Sequence, residues 1–445
     1  MSPFTRRRFI KTVSLAAAAT QFDWSLARAQ EKTTSSYNNL IPRDKKLRIA
    51  AIGVGGKGRD NLMKCADEDI VALCDVDFDR ARQAFTSFPS AARYRDYRQM
   101  LREMGDQIDA VIISTPDHSH FPAALMAIEA GKHVYVEKPL THTIGEVRQL
   151  KAAAEKANVV TQMGNHGHAN EGTRLVKEWI DAGVIGPVRE VHCWTNRPIW
   201  PQGLNLPTES IAVPDTLDWN LWQGVAPERP YAKGYCPFDW RGWWDYGCGA
   251  LGDMGCHLMD APFWALDLRG SFRVSAQSEG TTSVSAPRWS VVRYEFPQRG
   301  DKPPCALTWF DGGVLPPKPK ELGDGEMPVG GTIYRGDKGV ILSEGDYSES
   351  PRLLPAERMK DFDRPKKTIP RIKGANAHRE WIEACKGGPA PGSNIVDHSA
   401  ALTELVLAGN LAIRMNKTLE WDAEKGICVG EPDADRLIHK SYRLF

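Results

Sequence analysis

Residues 47–58 read Leu-Arg-Ile-Ala-Ala-Ile-Gly-Val-Gly-Gly-Lys-Gly, and this stretch decides the fold. Leu47 to Ile52 is apolar except for Arg48, as in a strand buried on both faces over most of its length. Gly53, Gly55 and Gly58 follow at the spacing G-x-G-x-x-G, with Lys57 opening a helical stretch that runs to Cys65. Gly53 permits a tight turn, Gly55 lets the backbone approach a pyrophosphate, and Gly58 allows the helix to pack closely on the strand. The helix start contributes free N–H groups and the positive end of its dipole. A glycine string alone is weak evidence; Asp75 gives it weight. It stands at the end of the next buried strand, Ile70 to Cys74, seventeen residues past Gly58. A carboxylate there accepts hydrogen bonds from the adenosine ribose and repels a 2′-phosphate, so NAD is expected rather than NADP.

Outward from this unit the chain alternates strand and helix. Phe78 to Phe88 and Tyr97 to Met104 read as helices, Ala110 to Ser114 as a strand and Phe121 to Ala130 as a helix. His133 to Val136, the amphipathic helix Ile144 to Lys156 and Val159 to Met163 complete the series. Such βαβ alternation predicts a doubly wound parallel sheet of Rossmann type over residues 45–166. Beyond Gly167 the pattern changes. A helix (Gly172 to Ala182) and an alternating strand (Val188 to Thr195) precede a Pro- and Trp-rich loop segment, Arg197 to Trp244. Strand-like stretches then stand at 272–278, 289–296, 305–310 and 339–342, while 321–331 and 349–370 read as loops. Residues 167–374 are therefore expected to form an open, mostly antiparallel sheet domain with helices. Helices at Ala375 to Cys385 and Ser399 to Met415 close the chain, within a C-terminal part spanning 375–425.

Composition excludes several classes. A net charge of +1 over 445 residues argues for no nucleic-acid partner and no acidic-substrate funnel. Nine cysteines lack Cys-x-x-Cys or zinc-ribbon spacing and do not resemble a secreted disulfide framework; one bridge near Cys248 and Cys256 stays open. Fourteen Trp are compatible with sugar stacking or with plain core filling. Thr5-Arg6-Arg7-Arg8-Phe9-Ile10-Lys11, an apolar run too short to span a bilayer, and Ala27-Arg28-Ala29 together resemble a twin-arginine export signal over residues 1–30. A periplasmic protein that folds before export is expected, with no membrane partner in its mature form.

Two further clusters carry chemistry. Glu137-Lys138-Pro139 follows the strand His133 to Val136, on the ligand side of the sheet. Lys138 there either hydrogen-bonds a substrate hydroxyl and moves its proton, or is simply solvated. In Gly249-Ala-Leu-Gly-Asp253-Met-Gly-Cys-His257-Leu-Met-Asp260, Asp253 and His257 share a helical face. A carboxylate beside an imidazole can orient it for proton removal during hydride transfer. A metal site drawn from Cys248, Asp253, Cys256, His257 and Asp260, or a structural histidine, are the competing readings. The missing ligand spacing argues against zinc, and no metal is expected.

Taken together, Gly53–Gly58 with Asp75, Ser114-Thr-Pro-Asp-His-Ser-His120, Glu137-Lys-Pro139 and the Asp253–His257 cluster resemble the Gfo/Idh/MocA family of glucose–fructose oxidoreductase and inositol dehydrogenase. The resemblance spans about residues 45–425. It implies Lys138, Asp253 and His257 as catalytic residues. It implies Thr115, Pro116, His120 and Glu137 along the dinucleotide, with Trp240 and Arg241 at the nicotinamide end or the substrate. It further implies C-terminal helices packed back on the first domain and a homo-oligomer, dimer or tetramer, joined through the open sheet. Asn165, His166 and His168 depart from the family's usual segment and are the expected substrate-specificity positions. The activity expected is NAD-dependent oxidation of a sugar or cyclitol hydroxyl by a tightly held cofactor. The alternative is a glycosidase that oxidises a sugar transiently, eliminates the aglycone and reduces the sugar again; a cofactor-binding scaffold without activity is the third class weighed.

Overall fold

The computed structural model describes residues 37–445; the expected export signal lies outside the described residues. The first sheet has six parallel strands: β1 (Arg48–Ile52), β2 (Asp69–Cys74), β3 (Ala92–Tyr94), β4 (Ala110–Ile113), β5 (His133–Val136) and β6 (Thr161–Met163). Their spatial order is β3-β2-β1-β4-β5-β6. Strand order therefore reverses between β1 and β4, and a ligand crevice opens there beyond the carboxyl ends. β4 and β5 are buried at every residue, which their Ala, Val, Ile and Tyr side chains demand. β3 escapes a sequence reading because it is three residues long and carries Arg93 outward. The helix Ile144–Ala157 starts at a capping box, Thr143 with Glu146, and stops at Asn158 in the left-handed conformation.

The second sheet has nine strands: β7 (Val188–Trp194), β8 (Phe272–Glu279), β9 (Trp289–Phe296), β10 (Cys305–Phe310), β11 (Gly331–Gly336), β12 (Gly339–Glu344), β13 (Ser350–Leu354), β14 (Leu419–Asp422) and β15 (Ile427–Cys428). They lie in the order β13-β12-β11-β7-β10-β9-β8-β14-β15, with β7 and β10 parallel and the other neighbours antiparallel. Two expectations are corrected: Leu419–Asp422, inside the C-terminal part read as helices, is a strand paired with β8. Residues 349–370 are not all loop, because Ser350–Leu354 pairs with β12. Its Pro351 hides the strand from pattern reading, but β13 is an edge strand, where a missing N–H is tolerated.

Three helices fix the site against this frame. Gly249–Leu258 carries Asp253 and His257 and is buried along its whole length. The helix Ala400–Met415 crosses it so closely that a Cβ on Gly255 would sit 3.0 Å from both Val406 methyls. The helix Ala377–Cys385 lays Trp381 edge-on to Tyr135 of β5 and stacks His378 on the same ring at 4.2 Å. The Trp-rich segment forms a core of its own around Trp219, Trp222, Tyr235, Trp243 and Tyr246. It is stitched to the first sheet by Asp218 N to Val76 O (2.9 Å) and by His118 Nε2 against Trp222 O (2.9 Å). No helix among the described residues is long and apolar enough to cross a membrane.

Candidate active site

The crevice begins at the glycine loop between β1 and its helix. Gly53 has φ +76°, and a Cβ there would lie 2.8 Å from Ser114 O; on Gly58 it would lie 1.8 Å from Gly53 O. Only glycine fits either position. Asp75, just past β2, accepts from the amides of Val54 (2.8 Å), Gly55 (3.1 Å) and Asp77 (3.0 Å). Burial pushes its pKa up, and those three amides resist the shift. On the other side of the switch point, His120 is wedged between Thr115 O and Pro139 O, each at 2.8 Å. This holds the turns after β4 and β5 together, with the Thr115 hydroxyl buried and without a hydrogen-bond partner. Glu137 accepts from Asn61 Nδ2 at 3.0 Å and faces Lys57 Nζ at 4.0 Å. Gly164 must be glycine there, since a Cβ would meet the Glu137 carboxylate at 2.7 Å. A glycine cradle, an anchored carboxylate at the end of β2 and an unsatisfied buried hydroxyl together fit a dinucleotide.

Beyond Glu137 stands a cluster of charged side chains. Lys138 Nζ donates to Asp253 Oδ1 (2.8 Å) and to the Asp253 carbonyl (2.9 Å). Arg241 Nε donates to the same Oδ1 at 3.2 Å. Burial would raise the Asp253 carboxyl, but Lys138 and Arg241 outweigh it and hold the group below its usual range. Burial likewise works against the Lys138 ammonium, and Asp253 and Glu137 reverse it, leaving its pKa raised. His257 is buried with Nδ1 unpartnered, and burial together with Lys138 holds the ring well below its usual pKa. The ring is therefore neutral at physiological pH. Its neighbours are His166, at 5.2 Å between ring centroids, and Tyr347, at 4.9 Å.

Several expectations change here. Asp253 does not orient His257: its carboxylate is committed to Lys138 and Arg241, the stronger partners in a dry site. The proposed ligands of a metal site do not converge, because Cys248 turns to His142 O, Cys256 to Thr403 and Asp260 to His168 and His398. All nine cysteines are free, so Cys248 and Cys256 do not pair. His168 is not in the crevice. It is 1% exposed and bonds Asp260 at 3.0 Å, while His398 bonds the same carboxylate at 2.6 Å. Among the described residues these three are the cluster whose donor atoms converge enough to hold an ion. Burial opposes the Asp260 carboxylate, yet His168 and His398 hold its pKa far down, and the cluster staples three segments together. Asn165 is fully buried and accepts from Ser393 Oγ at 2.6 Å; of the three expected specificity positions, His166 is the one beside His257. Trp240 is nearly buried and lies beneath the Arg241 guanidinium at 4.2 Å.

Sequence reasoning missed two site residues. Asp117, inside the quoted Ser114–His120 run, accepts from the Cys248 amide at 3.0 Å and so tethers the start of the helix that carries Asp253. Tyr347, from the turn between β12 and β13, reaches His166 and His257 with no local signal to announce it.

Fold and crevice together define a dinucleotide-binding protein with a Rossmann half and a second α/β half. Residues 47–165 match the model of the oxidoreductase family with an NAD-binding Rossmann fold, and residues 173–299 match that of the family's C-terminal alpha/beta domain. The chain belongs to the Gfo/Idh/MocA oxidoreductase family. It is 31% identical over 198 residues to a glycosyl hydrolase family 109 protein of Shewanella pealeana, covering 41% of this chain and 43% of that one. It is 31% identical over 177 residues to an inositol 2-dehydrogenase of Pseudomonas fluorescens, covering 38% and 51% respectively. The chain spans about half the length of the curated relatives it matches. Among solved structures, the WlbA dehydrogenase of Bordetella pertussis in complex with NADH and UDP-GlcNAcA superposes with a TM-score of 0.60 at 18% identity, over 84% of this chain and 99% of that one. The aldose-aldose oxidoreductase of Caulobacter crescentus superposes with a TM-score of 0.56 at 18% identity, over 84% and 100%. At that identity these two establish the fold.

Proposed function

We propose that the protein oxidises a hydroxyl carbon of a sugar or cyclitol with a tightly held NAD. The observation that carries this reading is the Lys138–Asp253 pair at 2.8 Å, set at the carboxyl end of β5 with neutral His257 on the same helix as Asp253. When bound, the nicotinamide supplies the hydride acceptor. The chain does the rest. Lys138, kept charged by Asp253, donates to the substrate oxygen and fixes its position. His257, kept neutral, is the base that takes the hydroxyl proton as the carbon is oxidised. Arg241 keeps Asp253 ionised, so the proton does not go to that carboxylate.

The inositol 2-dehydrogenase relative supports a polyol or sugar substrate, and the Arg6-Arg7 signal supports export to the periplasm through the twin-arginine route. Export with a bound cofactor requires NAD to stay in place. Mass spectrometry of denatured, freshly purified protein should release NAD; NADP in its place would overturn the reading of Asp75. Addition of a sugar and cyclitol panel should raise absorbance of the reduced nicotinamide, and Lys138→Ala and His257→Gln should abolish the rise. Equal turnover by parent and both variants would remove the assignment. Release of p-nitrophenol from aryl glycosides without net cofactor reduction would replace net oxidation with the redox-neutral glycosidase cycle. The division at residues 166 and 374, with helices returning to the first domain, and self-association through the nine-stranded sheet are part of the same proposal. Light scattering should give a mass of two or four chains.

A further inference from the structure

We infer that the site has an outer subsite built on Phe238 and Arg241, and that its substrate carries a second ring: a glycoside or disaccharide, not a free monosaccharide. The inference rests on the assignment of Lys138 and Asp253 above.

Exposure climbs outward from the reactive pair. The Lys138 and Asp253 side chains are 14% and 12% exposed, that of Arg241 is 21% exposed, and Phe238 is 42% exposed. The four are physically linked. Arg241 holds Asp253 through Nε and donates Nη1 to Phe238 O at 3.1 Å. Its Cζ lies 4.2 Å from the Trp240 ring centroid and 4.5 Å from that of Phe238. One guanidinium thus separates the reactive carboxylate from an open aromatic ring. The Phe238 ring is further steadied edge-on by buried Trp200 at 5.9 Å.

A ring 42% exposed gives up part of the burial energy it could contribute to folding. Fixed in place beside a cation, it suits a saccharide. The C–H face of a pyranose packs on an aromatic ring, while its hydroxyls take up nearby donors. Among the described residues Arg241 Nη2 has no hydrogen-bond partner, and it provides such a donor beside the ring. A monosaccharide engaged at Lys138 would leave this surface wet; a glycoside linked outward would cover it.

The test compares free sugars with their p-nitrophenyl glycosides (glucosides, galactosides and N-acetylglucosaminides) on the NAD-loaded protein. Parent protein should favour the glycoside in kcat/KM by about tenfold, the amount a well-placed aromatic contact supplies. Phe238→Ala should lose that preference mainly through KM, and Phe238→Tyr should restore it. Calorimetric titration with the same compounds reads the subsite without turnover: Phe238→Ala should weaken glycoside binding about tenfold. Equal use and equal binding of free sugar and glycoside by the parent would overturn the subsite. A parent that binds glycosides through Phe238 yet reduces no cofactor would instead break the redox reading and leave the subsite standing.

Discussion

The two walls of the crevice are made of different materials. The cofactor wall is backbone. Gly53, Gly55 and Gly58 work by lacking a side chain, and Asp75 faces amides from within 21 residues of itself. The proposed substrate wall is side chain. Lys138, Arg241, Asp253, His257 and Tyr347 come from both halves of the chain, and the charged members hold one another at 2.8 and 3.2 Å. The backbone wall tolerates no added atom at Gly53 or Gly58, and its one anchored carboxylate is held by amides and not by a partner charge. A side-chain wall tolerates changes of shape, yet removal of one charge leaves its partners buried and unbalanced. Substitutions on the two walls should therefore fail in different ways.

The largest effect belongs to the charged wall. Lys138→Ala removes the donor for the substrate oxygen and should lower kcat/KM by about 10³-fold or more, read in steady-state assays. Arg241 still pairs with Asp253, so the variant should fold and keep its NAD. Loss of NAD from Lys138→Ala would show that the walls are not separable in this way. On the backbone wall, Gly58→Ala drives a methyl to within 1.8 Å of Gly53 O. The loop must shift, and the NAD content of purified protein should fall about tenfold or more while the Lys138 pair survives.

Asp75→Ala sits between these extremes. It removes the proposed ribose acceptor and frees the amides of Val54 and Gly55. NAD affinity should drop about 10–100-fold, and discrimination against NADP should shrink with it, both measurable by titration. An unchanged NAD:NADP ratio would move the selectivity elsewhere, with Arg80 beside Gly55 and Gly56 the next position to examine.

The same contrast explains what could be read ahead of the structure. The backbone wall was legible because its chemistry is written in consecutive residues: a buried strand, three glycines at fixed spacing, then one carboxylate at the next strand end. Lys138 was legible for the same reason, as the residue after a short apolar strand. Partnerships were not. Asp253 and His257 are four apart on a helix, so local geometry suggested that they meet, whereas the charge on Lys138, 115 positions away, takes the carboxylate. His168 stood beside His166 in sequence, but two residues of a tight turn sent one toward His257 and the other into the Asp260–His398 staple. Tyr347 and Phe238 reach the crevice from a sheet-edge turn and from the Trp-rich loop segment, and neither position has a sequence period that reports where it will land.

The smallest effect tests Asp117, where the walls meet. Its carboxylate is buried under the turn after β4 and accepts from the Cys248 amide at 3.0 Å. Burial pushes its pKa up to about 6; His120, Arg241 and Lys138 oppose the rise, and Asp253 adds to it. The folded value lies above the unfolded one, so the folded state prefers the protonated acid. That contribution is fully present below the unfolded value near 4 and is lost as pH rises through about 6. At pH 7.5 the protein therefore carries a buried carboxylate at a net cost of about 3 kcal/mol. Asp117→Asn removes that charge without changing size and can still accept the Cys248 N–H. It should raise Tm by about 2–4 °C at pH 7.5 and by less at pH 5. Any acid limb near pH 6 in kcat/KM should vanish with the same substitution, because His257 is already neutral through that range. A limb that persists in Asp117→Asn and disappears in His257→Gln would show that substrate-free His257 titrates after all, and with it that the substrate wall is wetter than its burial implies.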